Sequence, residues 1–114
     1  GEVQSVRLAA GLALLDRWGC TSLLKGAGTW VVAPDALSAF CPAGNPGMGV
    51  GGMGDVLSGI IGGTAAGQSP LGDAVRGAVL AHARAGDIAA AQCGQVGLLP
   101  SDLIDALSKV LPRP

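Results

Sequence analysis

A glycine-rich stretch between residues 45 and 55 constrains the fold of this chain more than any other segment. It reads Asn-Pro-Gly-Met-Gly-Val-Gly-Gly-Met-Gly-Asp, with five glycines within eight residues and a single acid at its end. Glycine can adopt positive φ angles, and it lets bare backbone approach a ligand closely. The apolar segment Val56 to Ile61 follows at once and is typical of the first turns of a helix.

A helix that starts here would aim its free N–H groups and the positive end of its dipole back at the glycines. Loop and helix together favour an anion site, most often one for phosphate. Asp55 is the acid beside that site. It could accept a proton from a hydroxyl group that attacks a phosphoryl group, hold Mg²⁺, or simply cap the helix, and its position leaves all three open.

Two G-x-G-x-x-G matches lie within the same stretch, but they do not favour a Rossmann site. The dinucleotide fingerprint needs a strand immediately before it. Pro42 and Pro46 separate this loop from the nearest predicted strand. A Walker loop needs Lys-Ser or Lys-Thr after its last glycine, where this chain has Asp55.

Composition excludes several classes of partner. A chain of 114 residues has room for one domain at most. Its composition, with 49% hydrophobic and 13% charged residues, indicates a packed fold that contains a sheet. A net charge of −1 without a basic block argues against nucleic acid and membranes as partners.

We find no signal-peptide pattern at residues 1–3. Cys20, Cys41 and Cys93 lack a C-x-x-C spacing, which favours a reducing, cytoplasmic location, and we predict that all three are small buried residues.

Hydrophobic periodicity predicts one helix, three short strands and three further helices. Their predicted ranges are 2–18, then 21–24, 29–33 and 37–41, then 55–66, 70–93 and a helix from 101 onward. We expect the first helix to be buried on much of its circumference, the last two strands to form a hairpin, and small residues on the 55–66 helix to let another element pack close. Ser69 is a predicted N-cap, and Pro112 is predicted to stop the last helix.

Three strands are too few for a complete sheet covered by so many apolar helices. We therefore predict that residues 1–114 are the C-terminal part of a larger α/β domain. The piece is then expected to need a partner chain or the remaining sequence to complete its sheet.

Three further features are candidates for chemistry. The segment from Lys25 to Thr29 places a cation, two flexible glycines and a hydroxyl at a strand end, where Lys25 could meet a phosphate or be an ordinary solvated lysine. His82 lies on the apolar face of the 70–93 helix and is predicted to be a core histidine. Arg84 and Asp87 are predicted to form a solvated pair on the opposite face.

Five separated segments resemble the carbohydrate-kinase-like domain of NAD(P)H-hydrate dehydratases. They span residues 25–29, 44–48, 51–59, 82–87 and 97–104. The resemblance runs in order over nearly the whole chain from about residue 5, and several motifs at matching spacing are far more specific than one glycine motif.

The resemblance implies a ribokinase-like, three-layer α/β/α fold and a carbon–oxygen lyase that repairs hydrated NADH and NADPH (NADHX and NADPHX). Such enzymes phosphorylate the misplaced hydroxyl with ADP or ATP, and phosphate then leaves to restore the nicotinamide ring. The implied partners are the hydrate, the adenine nucleotide and Mg²⁺, with assembly as a homo-oligomer and a fused or separate epimerase. No residue is assigned as a metal ligand.

Carried onto this sequence, the resemblance implies nucleotide binding by Lys25, Gly26, Ala27, Gly28, Thr29, Asn45, Gly51, Gly52, Met53 and Gly54. Asp55 would contact the hydrate and, as the catalytic base, take its hydroxyl proton. The family often has Thr at the positions of Val50 and Met53, so two hydroxyl groups are absent here.

Two other functions stay open on the residues alone. One is a true small-molecule kinase of the same superfamily that acts on a vitamin precursor, and the other is a non-catalytic nucleotide-binding fragment. The 25–29 loop together with Asn45 to Met48 favours the dehydratase.

Overall fold

The computed structural model describes residues 2–67 and 70–111. Its helices are α1 (Glu2–Trp18), α2 (Met53–Gly67), α3 (Leu71–Cys93) and α4 (Pro100–Ala106), and its strands are β1 (Ser22–Leu24), β2 (Thr29–Ala33) and β3 (Ala36–Cys41). Short 3-10 helices cover Pro46–Met48 and Leu107–Lys109. The predicted order of elements is therefore confirmed. The predicted N-cap at Ser69 and the predicted stop at Pro112 lie outside the described residues.

The three strands form one antiparallel sheet in the order β1-β2-β3. The predicted hairpin is β2 with β3, in which Trp30 lies opposite Phe40 with ring centroids 5.1 Å apart. Strands β1 and β2 are also antiparallel neighbours, and the segment that joins them is the predicted Lys25–Thr29 ligand loop. Hairpin geometry therefore places this loop at one end of the sheet.

Adjacent residues of β2 show that helices cover both faces of the sheet. A Cβ on Gly11 of α1 would lie 2.8 Å from Cγ2 of Val32, so α1 packs on the face that Val32 presents. Val31 instead packs with Leu57 of α2 and Val79 of α3. Because side chains alternate along a strand, these helices lie on opposite faces. The chain thus has the expected α/β/α layering of part of a ribokinase-like domain.

The main apolar core lies on the α3 side of the sheet. Its buried members are Met53, Ala85, Ala89, Leu98, Leu103 and Ala106, which join α2, α3 and α4. The apolar face predicted for α3 is buried along most of its length, although Leu71 at its start is 48% exposed. This packing fixes the first turn of α2 against α3.

The expected burial of α1 on much of its circumference is wrong. Gly11 is its only buried residue among those described, and Val3 and Val6 are 70% and 63% exposed. Helix α1 makes its main contacts with β1 and β2 alone, so only one face is covered. The apolar periodicity predicted the helix correctly but overestimated the number of elements that pack around it.

Three smaller expectations are also wrong. Cys20 and Cys93 are exposed, because each lies at or just beyond the end of a helix, and Cys41 is partly buried. No described atom outside the local backbone lies within 4 Å of a Cβ placed on Gly59, Gly62 or Gly63, so no described element packs on those glycines of α2. The spacing of Leu103, Ile104, Leu107, Val110 and Leu111 predicts a buried stripe on the last helix, but Ile104 and Leu111 are substantially exposed. Over residues 2–67 and 70–111, no helix combines the length and the apolar character needed to span a membrane.

Candidate functional site

A cavity of about 810 Å³ lies where the β1–β2 loop, the segment after β3, the first turn of α2 and helix α3 meet. Of the predicted site residues, Lys25, Gly26, Ala27, Gly28, Thr29, Asn45, Met53 and Gly54 line it. The structure therefore brings together two segments that are separated by more than a dozen residues in the sequence. Gly51, Gly52 and Asp55 lie outside this lining, at exposed positions of the same loop and first helical turn.

The start of α2 differs from the prediction by one half-turn. The helix begins at Met53, so Asp55 is its third residue and does not occupy the N-cap position. Within the described chain, the N–H groups of Gly54 and Asp55 have no hydrogen-bond acceptor, whereas Val56 already donates to the carbonyl of Gly52. Two free N–H groups and the positive end of the helix dipole therefore mark the first turn.

Lys25 lies directly over this first turn. A Cβ on Gly54 would be 3.2 Å from the Lys25 Nζ atom, so the absence of a side chain at Gly54 leaves room for the ammonium group. Lys25 is the only permanently charged side chain among the described lining residues. An ammonium group beside free helical N–H groups is an arrangement that attracts a polyanion such as a phosphate chain. Of the two alternatives for Lys25, this geometry favours a phosphate contact.

His82 of α3 binds the backbone of the same turn. It is buried, and its Nε2–H donates to the Met53 carbonyl over 3.2 Å, since a carbonyl can only accept. Burial lowers the pKa of His82 below its ordinary value of 6.5, and the Lys25 charge lowers it further, although the hydrogen bond to Met53 opposes both. His82 is therefore a neutral core histidine that holds the backbone of α2, as its position in the sequence predicted.

The side chain of Asn45 is occupied in holding the loop to α3. Its Oδ1 accepts from the N–H of Gly47 at 3.0 Å, and its Nδ2 donates to the Gly86 carbonyl at 3.2 Å and to Asp87 Oδ1 at 2.9 Å. Asp87 Oδ2 also accepts from the N–H of Gly44 at 3.1 Å. The side-chain amide of Asn45 thus anchors the loop to α3.

The contacts of Asp87 correct the predicted pair with Arg84. Among residues 2–67 and 70–111 the ion pair that forms is Arg76–Asp73, at 3.7 Å, and Asp87 binds the glycine loop instead. Helical spacing could not show this contact, because Asp87 and Asn45 are 42 residues apart in the sequence. Asp87 therefore anchors the glycine loop to α3, a contact that the sequence did not predict.

The two positions where the family often has Thr differ in what they can reach. Met53 is 3% exposed and packs in the core with Ala85 and Leu103. Val50 is 39% exposed and lines the cavity. A missing hydroxyl would therefore matter more directly at Val50 than at Met53.

The family model of the NAD(P)H-hydrate dehydratases matches residues 1–109. The chain belongs to the NAD(P)H-hydrate dehydratase family. It is 44% identical over 113 residues to the bifunctional NAD(P)H-hydrate repair enzyme Nnr of Coxiella burnetii, a match that covers 99% of this chain and 23% of that protein. The corresponding enzyme of Escherichia coli is 45% identical over 111 residues, covering 96% and 21%.

A solved member of this dehydratase family has the same fold over the matched region. It is the ADP/ATP-dependent NAD(P)H-hydrate dehydratase from Bacillus subtilis, co-crystallised with ATP/Mg²⁺ and soaked with CoA. The TM-score is 0.87 at 28% sequence identity, and the match covers 96% of this chain and 40% of that one. The present chain thus spans about two-fifths of the solved dehydratase and less than a quarter of the bifunctional relatives.

Proposed function

We propose that this chain supplies the phosphate-binding part and the catalytic base of an ADP- or ATP-dependent NAD(P)H-hydrate dehydratase. The observation that carries the proposal is the position of Lys25 Nζ over Gly54, beside the free N–H groups of Gly54 and Asp55 at the start of α2. Family membership and the cavity of about 810 Å³ against these groups support it. The lining residues would hold the nucleotide, and the exposed Gly51 and Gly52 would complete the loop around its phosphates.

Asp55 is the proposed base. Its carboxylate would take the proton of the hydrate hydroxyl as that oxygen attacks the terminal phosphorus of ADP or ATP. Lys25 and the N–H groups of the first turn would stabilise the charge on the transferred phosphoryl group. Phosphate would then leave with the electrons of the C–O bond, and loss of a proton from the adjacent ring carbon would restore the nicotinamide double bond. Because the carboxylate is exposed and outside the cavity lining, it would meet the hydrate rather than the nucleotide.

Mg²⁺ would enter this site with the nucleotide. The described residues contain no group of three His, Cys, Asp or Glu side chains that could hold a metal, and no carboxylate is among the described lining residues. Mg²⁺ is commonly bound through substrate phosphates and water with few protein ligands. The described residues therefore do not offer a metal-ligand set of their own, and the roles proposed for Lys25 and Asp55 do not depend on one.

The proposal also covers the place of this chain in its domain, a second activity, and assembly and location. Residues 1–114 would be the C-terminal part of one ribokinase-like domain, in line with the share of each relative that the match covers. An epimerase, fused or separate, would accompany it, and the word bifunctional in the names of the relatives supports a second activity. We also propose assembly as a homo-oligomer, which the family resemblance implies, and a cytoplasmic location, which the cysteine spacing favours.

Recovery of NADH absorbance from NADHX tests the proposal in the full-length protein. We expect recovery with ADP, with ATP or with both, together with release of inorganic phosphate. No recovery with either nucleotide would rule out the dehydratase. A stable phosphorylated product from a vitamin-precursor alcohol would instead indicate the small-molecule kinase, and nucleotide binding without any turnover would indicate the non-catalytic fragment.

The Asp55→Asn variant tests the role of the base. We expect kcat to fall by about 10²- to 10⁴-fold, the range typical for loss of a general base, while the Kd for nucleotide stays within about twofold. Asp105→Asn is a matched control, because Asp105 is also an exposed carboxylate in a helix but is remote from the cavity lining. Wild-type kcat in Asp55→Asn would disprove the assignment of Asp55 and leave the dehydratase activity itself intact.

A further inference from the structure

Arg7 of α1 binds the backbone of the β1–β2 loop from the side opposite the α2 turn. Its Nη2 donates to the carbonyls of Leu24 and Gly28, each at 2.6 Å, and its Nη1 donates to the carbonyl of Ala27 at 3.2 Å. One guanidinium group thus donates hydrogen bonds to three carbonyls, which lie at the two ends and in the middle of the loop. The five N–H donors of a planar guanidinium make this possible, and no other side chain offers as many.

The surroundings of Arg7 are arranged for this contact. Gln4, one turn earlier on α1, accepts from Arg7 Nη1 at 2.9 Å and donates to the Ala27 carbonyl at 3.0 Å. A Cβ on Gly26 would lie 3.1 Å from Arg7 Cζ, and Gly26 has a φ of 159°. Glycine at this position therefore lets the loop close over the guanidinium group.

No acidic side chain among the described residues forms an ion pair with Arg7. Within the part of the chain that the structure describes, the ion pair found is Arg76–Asp73, and Arg7 binds only carbonyls and the amide of Gln4. Arg7 and Lys25 therefore place two uncompensated positive charges on either side of one short loop. Such a field favours a polyanionic ligand at the cavity that the loop lines.

The contacts of Arg7 with the carbonyls fix the direction in which the N–H groups of the loop point. In a trans peptide the C=O of one residue and the N–H of the next point in opposite directions. When the carbonyls of Leu24 and Ala27 point at Arg7, the N–H groups of Lys25 and Gly28 must point away from α1. Neither of these two N–H groups has an acceptor among the described residues. Both residues line the cavity.

We propose that Arg7 is a positioning residue that holds the Lys25–Thr29 loop with its N–H groups directed at acceptor atoms of the bound nucleotide. The assignment rests on the proposed function for the identity of the ligand, but the orientation of the loop follows from contacts in the free chain. Arg7 itself does not line the cavity. It acts through the backbone that it binds.

Nucleotide affinity in Arg7→Gln tests the functional half of this inference. In the full-length protein we expect the KM and Kd for ADP or ATP to rise about tenfold, since glutamine can replace at most one of the carbonyl contacts, while kcat at saturation changes by less than about threefold. Arg7→Lys keeps the positive charge but lacks the several N–H donors of the planar guanidinium. Its KM and Kd for nucleotide should therefore lie between those of wild type and Arg7→Gln. Arg17→Gln is the matched control, because it removes the same charge from an exposed site on the same helix.

Amide hydrogen exchange in the ligand-free protein tests the structural half without any reference to activity. Arg7→Gln should speed exchange in residues 25–29, while exchange in β1 and β2 stays as in wild type. A general loss of structure would raise exchange in the strands as well and would overturn the positioning role, as would nucleotide affinity within about twofold of wild type. If wild type bound neither ADP nor ATP, the proposed function would fail, and the exchange result would still decide whether Arg7 holds the loop.

Discussion

Helices α1 and α3 pack on opposite faces of the same sheet, yet they are held there by different forces. Eleven of the residues of α3 are buried, whereas Gly11 is the only buried residue of α1 among those described. Helix α3 contacts the sheet, α2 and α4, while the main contacts of α1 are with β1 and β2. The α3 side is therefore stabilised by apolar packing, and the α1 side by one close backbone approach and the hydrogen bonds of Arg7.

The two walls of the candidate site, the α2 turn and the Lys25–Thr29 loop, are therefore held in place in different ways. The α2 turn, which includes Gly54, rests on the packed α3 side, where neutral His82 of α3 donates to the Met53 carbonyl. The Lys25–Thr29 loop is attached to the sparsely packed α1 side through Arg7. Apolar periodicity predicts a helix in both places, but the burial of that helix depends on how many other elements surround it.

Truncation of one leucine on each side of the sheet should show the difference in packing most directly. Leu103 is fully buried against α3, so Leu103→Ala should lower the free energy of unfolding of the full-length protein by about 2–5 kcal/mol. Leu12 of α1 is 45% exposed, and Leu12→Ala should cost about 1 kcal/mol or less. Denaturant titration measures both. An equal cost for the two would mean that another part of the protein or a second chain covers α1.

A substitution at Gly11 should show that the α1 side depends on close backbone approach. A Cβ there would lie 2.7 Å from Leu24 Cδ1 and 2.8 Å from Val32 Cγ2, so Gly11→Val should force α1 away from the sheet and cost about 1–3 kcal/mol. Ala10→Val, at an exposed position of the same helix, is the control and should cost well under 1 kcal/mol. Similar unfolding midpoints for the two variants would contradict the close packing at Gly11.

The smallest effect expected is a pH dependence specific to the α3 side. Because the pKa of His82 is lowered in the folded chain, the unfolded chain binds more protons below the ordinary value of 6.5, and stability should fall as the pH drops through that range. Thermal unfolding at about pH 7.5 and about pH 5.5 should therefore show a larger loss in wild type than in His82→Gln, whose amide can still donate to Met53. An equal loss in the two proteins would show that His82 does not contribute.

Local features were the part of this structure that could be predicted. The ranges of α1 and β2 were predicted to the residue, because apolar periodicity and turn residues act over a few positions. The start of α2 was predicted two residues too late, since an acid after glycine is a typical cap and the helix in fact begins within the glycine run at Met53. His82 was identified correctly because its neighbours on the helix are apolar.

Contacts between distant segments were the part that could not be predicted. Asp87 was predicted to pair with Arg84 one turn earlier, and it binds Asn45 and Gly44 instead. Arg7 gave no signal at all, because a lone arginine on a helix is commonly solvated and its carbonyl partners begin 17 residues later. Spacing within one element contains no information on which side chain reaches another element.

By itself, the sequence determined the family, the order of helices and strands, and the presence of a glycine loop followed by a helix whose first N–H groups are free. These depend on residue types at short spacing, where propensity and periodicity act. Only the tertiary structure decided that Lys25 lies over Gly54, that Asp87 anchors the glycine loop, and that Arg7 holds the opposite loop. Those contacts form because the sheet and α3 bring together segments far apart in the chain, and the packing of whole elements sets which groups meet.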